Sequence, residues 1–283
     1  MWILFSPSEK KRLEYQALQQ AKNQPFYQNF ICNLGLENVL KAYIGVLRCG
    51  KESEIQQIFG VKNIILKELA EAQNLMHSPL LPAVLRYIGV AFSALDFEHL
   101  ENYAQDYLKK HLLIFSNLFG LLRAGDRIPY YDLKQGTGFK WGAVEFNTKK
   151  FYLENFNKIW EYLINNQKEL SKSFNGTLEI LDLRAGFYQK CFDLSKVPTY
   201  FRLNDLSVYE PNFIKNGKVV SHYAKYYRGI LLRTCAKERL VDLADLENLY
   251  LEGLELESIQ TKQDKKQRRV VLTYAIKSKE KSV

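Results

Sequence analysis

Three cations late in the chain are spaced to act together. Lys225 and Arg228 stand three apart and Arg233 continues roughly the same side of a helix read from Ala224 to Ala236, so their charges can converge on one groove. Cations gathered in a groove are suited to phosphates, and Gly229 beside them leaves room for another backbone or a ligand. The plain alternative is a solvated helix face. Lys10 follows the first apolar segment closely, and a lysine desolvated there or at Lys225 would be a nucleophile able to form a Schiff base on damaged DNA. Near the C-terminus Lys262, Lys265, Lys266, Arg268, Arg269, Lys277, Lys279 and Lys281 outnumber Asp264 and Glu280. That stretch is either a phosphate contact or a solvated loop.

Other chemistries find no pattern. His77, His99, His111 and His222 have no metal-ligand spacing, and Cys32, Cys49, Cys191 and Cys235 include no C-x-x-C pair, so no metal site and no cofactor is expected. Neither a phosphate-binding G-x-x-x-x-G-K-[ST] loop nor a G-x-S-x-G elbow occurs. The cysteines read as reduced thiols. Ser6-Pro7 interrupts the apolar opening Met1 to Phe5, which fits neither a signal peptide nor a membrane span, so a cytoplasmic protein is expected. With 40 Lys and Arg against 31 Asp and Glu, the net charge of +9 favours polyanions, or serves solubility alone.

The 283 residues, 47% hydrophobic and 25% charged, are enough for a substantial core. Trp2 to Phe5 reads as a buried strand ended by the Ser6-Pro7-Ser8 turn. Leu36, Val39, Leu40, Tyr43, Val46 and Leu47 recur at helical spacing, and further helices are expected over Ser53 to Phe59 and Asn63 to Leu75. Leu85 to Phe92 reads as a buried strand around Gly89, after which Asp96 caps a helix to about Lys110. A helix from Asn155 to Leu170 leads into a strand over Leu178 to Leu183. Strands are expected at Lys218 to Tyr223 and Val270 to Ile276, with Thr261 to Arg269 tipping a hairpin. No linker or repeat divides the chain, so the expectation is one α+β domain over 1–283, a mixed sheet surrounded by helices, with 277–283 a flexible tail.

Several segments carry a resemblance. Phe115 to Asp126, F-S-N-L-F-G-L-L-R-A-G-D, is similar to the L-S-G-L-Y-G-x-L-R-P-x-D stretch of the peroxide stress protein YaaA family. Ile3 to Lys10 resembles that family's I-S-P-A-K or P-S-E-x-K opening, Tyr87 to Phe92 its F-K-G-D-V-Y, and Ser221 to Arg233 its S-x-x-A-K-x-x-R-G-x-x-x-R. The matches run in family order along nearly the whole chain. They depart at Asn117 and Ala94, where Gly is usual, at Ile88 for a Lys, and at Ala124-Gly125, where a Pro is usual. In Tyr131 to Gly136 the family's Y-R-L-E-M-G has opposite charges at both variable places, which points to an internal ion pair.

The resemblance implies an α+β fold with a helix-hairpin-helix element and a positively charged cleft. It also implies binding to duplex or distorted DNA with little base specificity, and a role in limiting iron- and peroxide-dependent damage. On that reading Asn117 and Gly120 shape the hairpin against a phosphate, Arg123 reaches the same phosphate from the second helix, and Lys10, Lys225, Arg228 and Arg233 complete the nucleic-acid site. An ordinary buried turn, with Arg123 paired to Asp126, is the alternative for that segment. Two other functions stay open: a repair enzyme using Lys10 or Lys225, and a protein that lowers free iron.

Overall fold

The computed structural model of the protein describes residues 1–13, 24–170, 177–199, 205–264 and 267–277. Its first strand, β1 (Trp2–Phe5), is an unbroken run of bulky apolar residues, which suits a strand covered on both faces, and all of it is buried. Three helices follow, α1 (Leu36–Cys49), α2 (Glu52–Phe59) and α3 (Leu66–Gln73). The short strand β2 (Leu81–Pro82) leads to α4 (Ala83–Arg86), α5 (Val90–Leu95) and α6 (Asn102–His111). Next come β3 (Leu112–Ser116), β4 (Gly120–Arg123) and β5 (Arg127–Ile128), then β6 (Gly138–Trp141) and β7 (Val144–Asn147). Two helices, α7 (Thr148–Glu154) and α8 (Phe156–Leu170), precede β8 (Thr177–Leu183) and α9 (Gly186–Cys191). The chain closes with β9 (Asp205–Lys215), β10 (Lys218–Val219), α10 (Ser221–Lys237), β11 (Leu254–Asp264) and β12 (Gln267–Ile276).

One mixed sheet runs β11-β12-β9-β8-β1-β3-β4, with β10 beside β9. Strands β12, β9, β8, β1 and β3 are parallel to their neighbours, and β11 and β4 flank them antiparallel. The register sets Phe5 beside both Leu183 and Ile114, so β1 and β8 stop at the same level. Helices cover the sheet with the stripes the sequence predicts: α1 buries Leu36, Val39, Leu40, Tyr43, Val46 and Leu47. The α8 residues Ile159, Trp160 and Leu163 are fully buried, and the Leu163 carbonyl accepts a hydrogen bond from Trp2 Nε1 at 2.9 Å.

Four segments differ from the sequence reading. Lys218 to Tyr223 holds only the two-residue strand β10, because α10 already begins at Ser221. Leu85 to Phe92 is not a strand: α4 ends at Arg86, Tyr87 to Gly89 turn, and α5 begins at Val90. A short apolar run fits either period, and here Gly89 at φ 121 breaks the chain while Ala91 and Ala94 offer a small face to another helix. Asp96 does not open the long helix; it ends α5 in the left-handed region at φ 51, a single 3-10 turn over Phe97–His99 follows, and α6 starts only at Asn102. Phe115 to Arg123 holds no pair of helices but the antiparallel β3–β4 hairpin, with Ser116 opposite Gly120. Its turn is closed by Ser116 Oγ, which accepts from the Leu118 and Phe119 N–H groups at 3.2 and 3.1 Å, and the left-handed angle falls on Gly120 (φ 72).

At the junction of α6 and β3, His111 is buried, stacks on Tyr107 and donates from Nδ1 to the Met1 carbonyl at 2.9 Å. Burial, reinforced by the nearby N-terminal amine and Lys110, depresses its pKa to about 4. The folded protein therefore keeps the ring neutral while the unfolded chain takes up a proton below about 6.5. Stability is fully present above that pH and lost as the pH falls toward 4. Urea denaturation across this window should show a slope component of up to about 1.4 kcal/mol per pH unit that His111→Gln removes.

Candidate functional site

Outside the carboxyl ends of β1 and β8 lies a cleft of about 550 Å³. Its walls come from five places: Phe5 to Lys10 from the end of β1 onward, Gly89 and the start of α5 to Phe92, Lys134 and Gln135, Leu183 to Tyr188 from the end of β8 onward, and Lys225 and Arg228 of α10, which close one side. Hydrogen bonds tie these pieces together. Ser6 Oγ accepts the Ala185 N–H at 2.7 Å, Ile88 N–H donates to the Lys10 carbonyl at 3.0 Å, and Gln135 N–H donates to Glu9 Oε1 at 3.3 Å. A side chain at Gly89 would come within 2.8 Å of Ser8 Oγ, so the turn between α4 and α5 sits directly against the loop after β1. Helix α10 is held as closely, because a Cβ at Gly229 would meet the Ala91 carbonyl at 2.2 Å and Ala94 Cβ at 2.8 Å.

Beneath the cleft lies an ion pair. Arg184 Nε and one terminal nitrogen each donate to Asp182 at 2.8 Å, its other terminal nitrogen donates to the Tyr188 and Phe192 carbonyls, and the guanidinium stacks 4.6 Å from the Phe115 ring centroid. Both side chains are buried. Arg228 approaches the same acid: burial lowers its pKa, the Asp182 charge opposes that, and its Nε is buried with no hydrogen-bond partner among the described residues. Tyr188, on the cleft wall, donates its hydroxyl to Asn117 Oδ1 at 2.9 Å, and Asn117 Nδ2 donates to the Leu133 carbonyl at 2.8 Å.

Lys10, Lys225 and Arg228 thus meet at one hollow, joined by Lys134. None of the four makes an ion pair among the described residues, and the lining holds one carboxylate, Glu9. The other site residues expected from sequence lie elsewhere. Asn117 is 2% exposed and Gly120 is buried, its missing side chain leaving room for Cys32 and Phe151. Arg123 is paired to Asp126 at 2.8 Å and donates to the Asn29 carbonyl, the arrangement of the buried-turn alternative. Arg233 pairs with Asp96 at 3.0 Å and faces an adjoining groove of about 690 Å³ that shares Gly89 and Val90 with the cleft.

Sequence reasoning missed Tyr188 and the Asp182–Arg184 pair. It read the two charges of the Tyr131 to Gly136 stretch, Asp132 and Lys134, as an internal ion pair, whereas Asp132 pairs with Lys11 at 3.3 Å and Lys134 lines the cleft. Lys11, beside Lys10, is the buried lysine: it donates to the Glu9 carbonyl at 2.8 Å and lies 4.5 Å from the Tyr131 ring centroid, and burial lowers its pKa. Lys10 and Lys225 are exposed, so the desolvation that a Schiff-base nucleophile needs falls on a lysine closed off from the cleft. The basic hairpin tip is remote as well, since the register sets Gln267 beside Leu206 and Leu206 beside Leu178, near the start of β8. Lys265, Lys266, Lys279 and Lys281 lie outside the described residues.

Among the described residues no group of three His, Cys, Asp or Glu side chains is placed to hold a metal ion, and no helix is long and apolar enough to cross a membrane. Burial pushes the thiols of Cys32 and Cys235 up to about 12 and that of Cys191 to about 11, so these three stay protonated at neutral pH.

A family model described as peroxide stress protein YaaA matches residues 1–260. The chain is 36% identical over 267 residues to an uncharacterised protein of Campylobacter jejuni, covering 93% of this chain and 95% of that protein. It is 30% identical over 237 residues to a UPF0246 protein of Corynebacterium glutamicum, covering 83% and 85% of the two chains, and 28% identical over 209 residues to one of Neisseria gonorrhoeae, covering 71% and 74%.

Because Arg184 neutralises a carboxylate that water cannot reach, Arg184→Met should destabilise the fold by about 3–5 kcal/mol through the acid it strands. Chemical denaturation at neutral pH measures this; a loss under about 1 kcal/mol would mean that Asp182 finds another partner.

Proposed function

Because the chain belongs to the peroxide stress protein YaaA family, we propose that it serves the response to peroxide by binding duplex or distorted DNA across the cleft, and so limits damage where iron and peroxide meet. The observation that carries this reading is the meeting of Lys10, Lys134, Lys225 and Arg228, from three separate stretches of chain, around one hollow with a single carboxylate. Uncompensated cations at a concave surface draw a sugar-phosphate backbone, and such contacts position a strand without reading its sequence. The segment around Gly120, expected to carry a helix-hairpin-helix, is a β-hairpin and does not enter the proposal; the α4–α5 hairpin, turning at Tyr87 to Gly89, borders the cleft instead. Asn117 enters the proposal as the support of Tyr188 and not as a phosphate ligand.

Polarisation of labelled duplex, bulged and four-way-junction DNA over a salt series tests this. Log affinity should fall with log salt, and Lys225→Ala and Arg228→Ala should each weaken binding to unrelated sequences alike and flatten the salt slope by about 0.9. Binding that ignores salt, or that is absent at low salt, would remove DNA from the account.

A further inference from the structure

The interior of the cleft, as distinct from its rim, points to a ligand smaller than a duplex; this rests on the DNA reading above. At about 550 Å³ the cleft falls within the ~300–1,000 Å³ range of small-molecule pockets, so a duplex can lie over the opening and cannot enter it. One nucleotide can. The hollow stands where open parallel sheets take ligands, outside the carboxyl ends of adjacent strands whose connections leave in opposite directions: from β1 the chain goes first to β3 and β4 on one side, then returns to β8 on the other. Its wall is apolar and aromatic at Pro7, Phe92, Leu183 and Tyr188. Tyr188 is fixed by its hydrogen bond to Asn117 and by its ring, which meets Phe187 edge-on at 5.1 Å.

Val90 supplies a second, separate observation. It is 55% exposed at the tip of the hairpin, and with Gly89 it lines both the cleft and the adjoining groove, so it forms the ridge between two hollows. Lys225 and Arg228 stand toward the cleft and Lys237 toward the groove, where Arg233 is held by Asp96 and Glu252 also lines the wall. Apolar side chains in such positions are the ones that enter a base step and unstack it.

We propose that Val90 acts as a wedge at a distorted step and that the displaced base is received in the cleft beside Pro7, Phe92 and Tyr188, its flanking phosphates held by Lys225 and Arg228. No bond is made or broken. Because extrusion costs least for a base that is already unpaired, this arrangement selects distorted over regular duplex without reading sequence.

The full chain is titrated with a plain duplex, the same duplex bearing a one-nucleotide bulge, and the same bulge with its base removed. The bulge that keeps its base should bind at least about fivefold tighter than the abasic one, the lower end of what stacking one base contributes. Ala185→Phe, which fills the hollow, should bring that ratio toward one. Equal affinity for the two bulges in the wild-type chain overturns the base receptor and leaves DNA binding standing, as does a ratio that survives in a folded Ala185→Phe protein. Failure to bind any of the three overturns both readings.

Discussion

A carboxylate and a guanidinium shut away from water under the cleft set the terms for everything around it. Removing Asp182 and Arg184 from solvent costs several kcal/mol per ion unless the remaining donors and acceptors are met. They are met by structure: the bidentate contact fixes the end of β8, and the donors left over hold the Tyr188 and Phe192 carbonyls at the end of α9. The wall of the cleft is therefore a by-product of satisfying one arginine. Arg228 is drawn toward the same acid without displacing Arg184, which leaves it near a negative charge and still facing the hollow.

The cations divide by whether an acid claims them. Arg12, Arg123, Arg233 and Arg269 each close on a carboxylate, Glu98, Asp126, Asp96 and Glu210, and their charge is largely cancelled where it stands. Lys10, Lys134, Lys225 and Arg228 are not cancelled, and their field reaches the solvent in the cleft. Net charge alone would not have separated the two groups. In a protein of a peroxide stress family the three buried cysteines are also informative: as protonated thiols Cys32, Cys191 and Cys235 are poor nucleophiles toward peroxide, while Cys49 is exposed.

What the sequence disclosed follows from what periodicity can encode. The long amphipathic stripes of α1 and α8 and the buried run of β1 were readable because their own spacing decides them. The pair Lys225 and Arg228 was readable for the same reason, being on one face of one helix. Phe115 to Arg123 was not, since residues buried on every side carry no alternation, and only the pairing with β1 shows that the segment is a strand. Arg233 was misplaced because its partner Asp96 lies 137 residues away in a turn that spacing cannot locate. Lys10 was found and Lys11 passed over, although the two differ by one step along a chain that turns one outward and the other inward.

The close crossing at Gly229 makes one jaw of the cleft a solid piece. With the Ala91 carbonyl lying where a side chain would stand, α10 cannot slide or roll on α5 without opening a void or a clash, so the hairpin tip and the cationic helix keep a constant separation. Any change in the width of the cleft must then come from the facing side, where Lys10, Lys134 and Gln135 sit on loops. The cleft is built like a vice with one fixed plate and one adjustable plate, and the distance from α10 to α5 is a gauge set by a single missing methyl group.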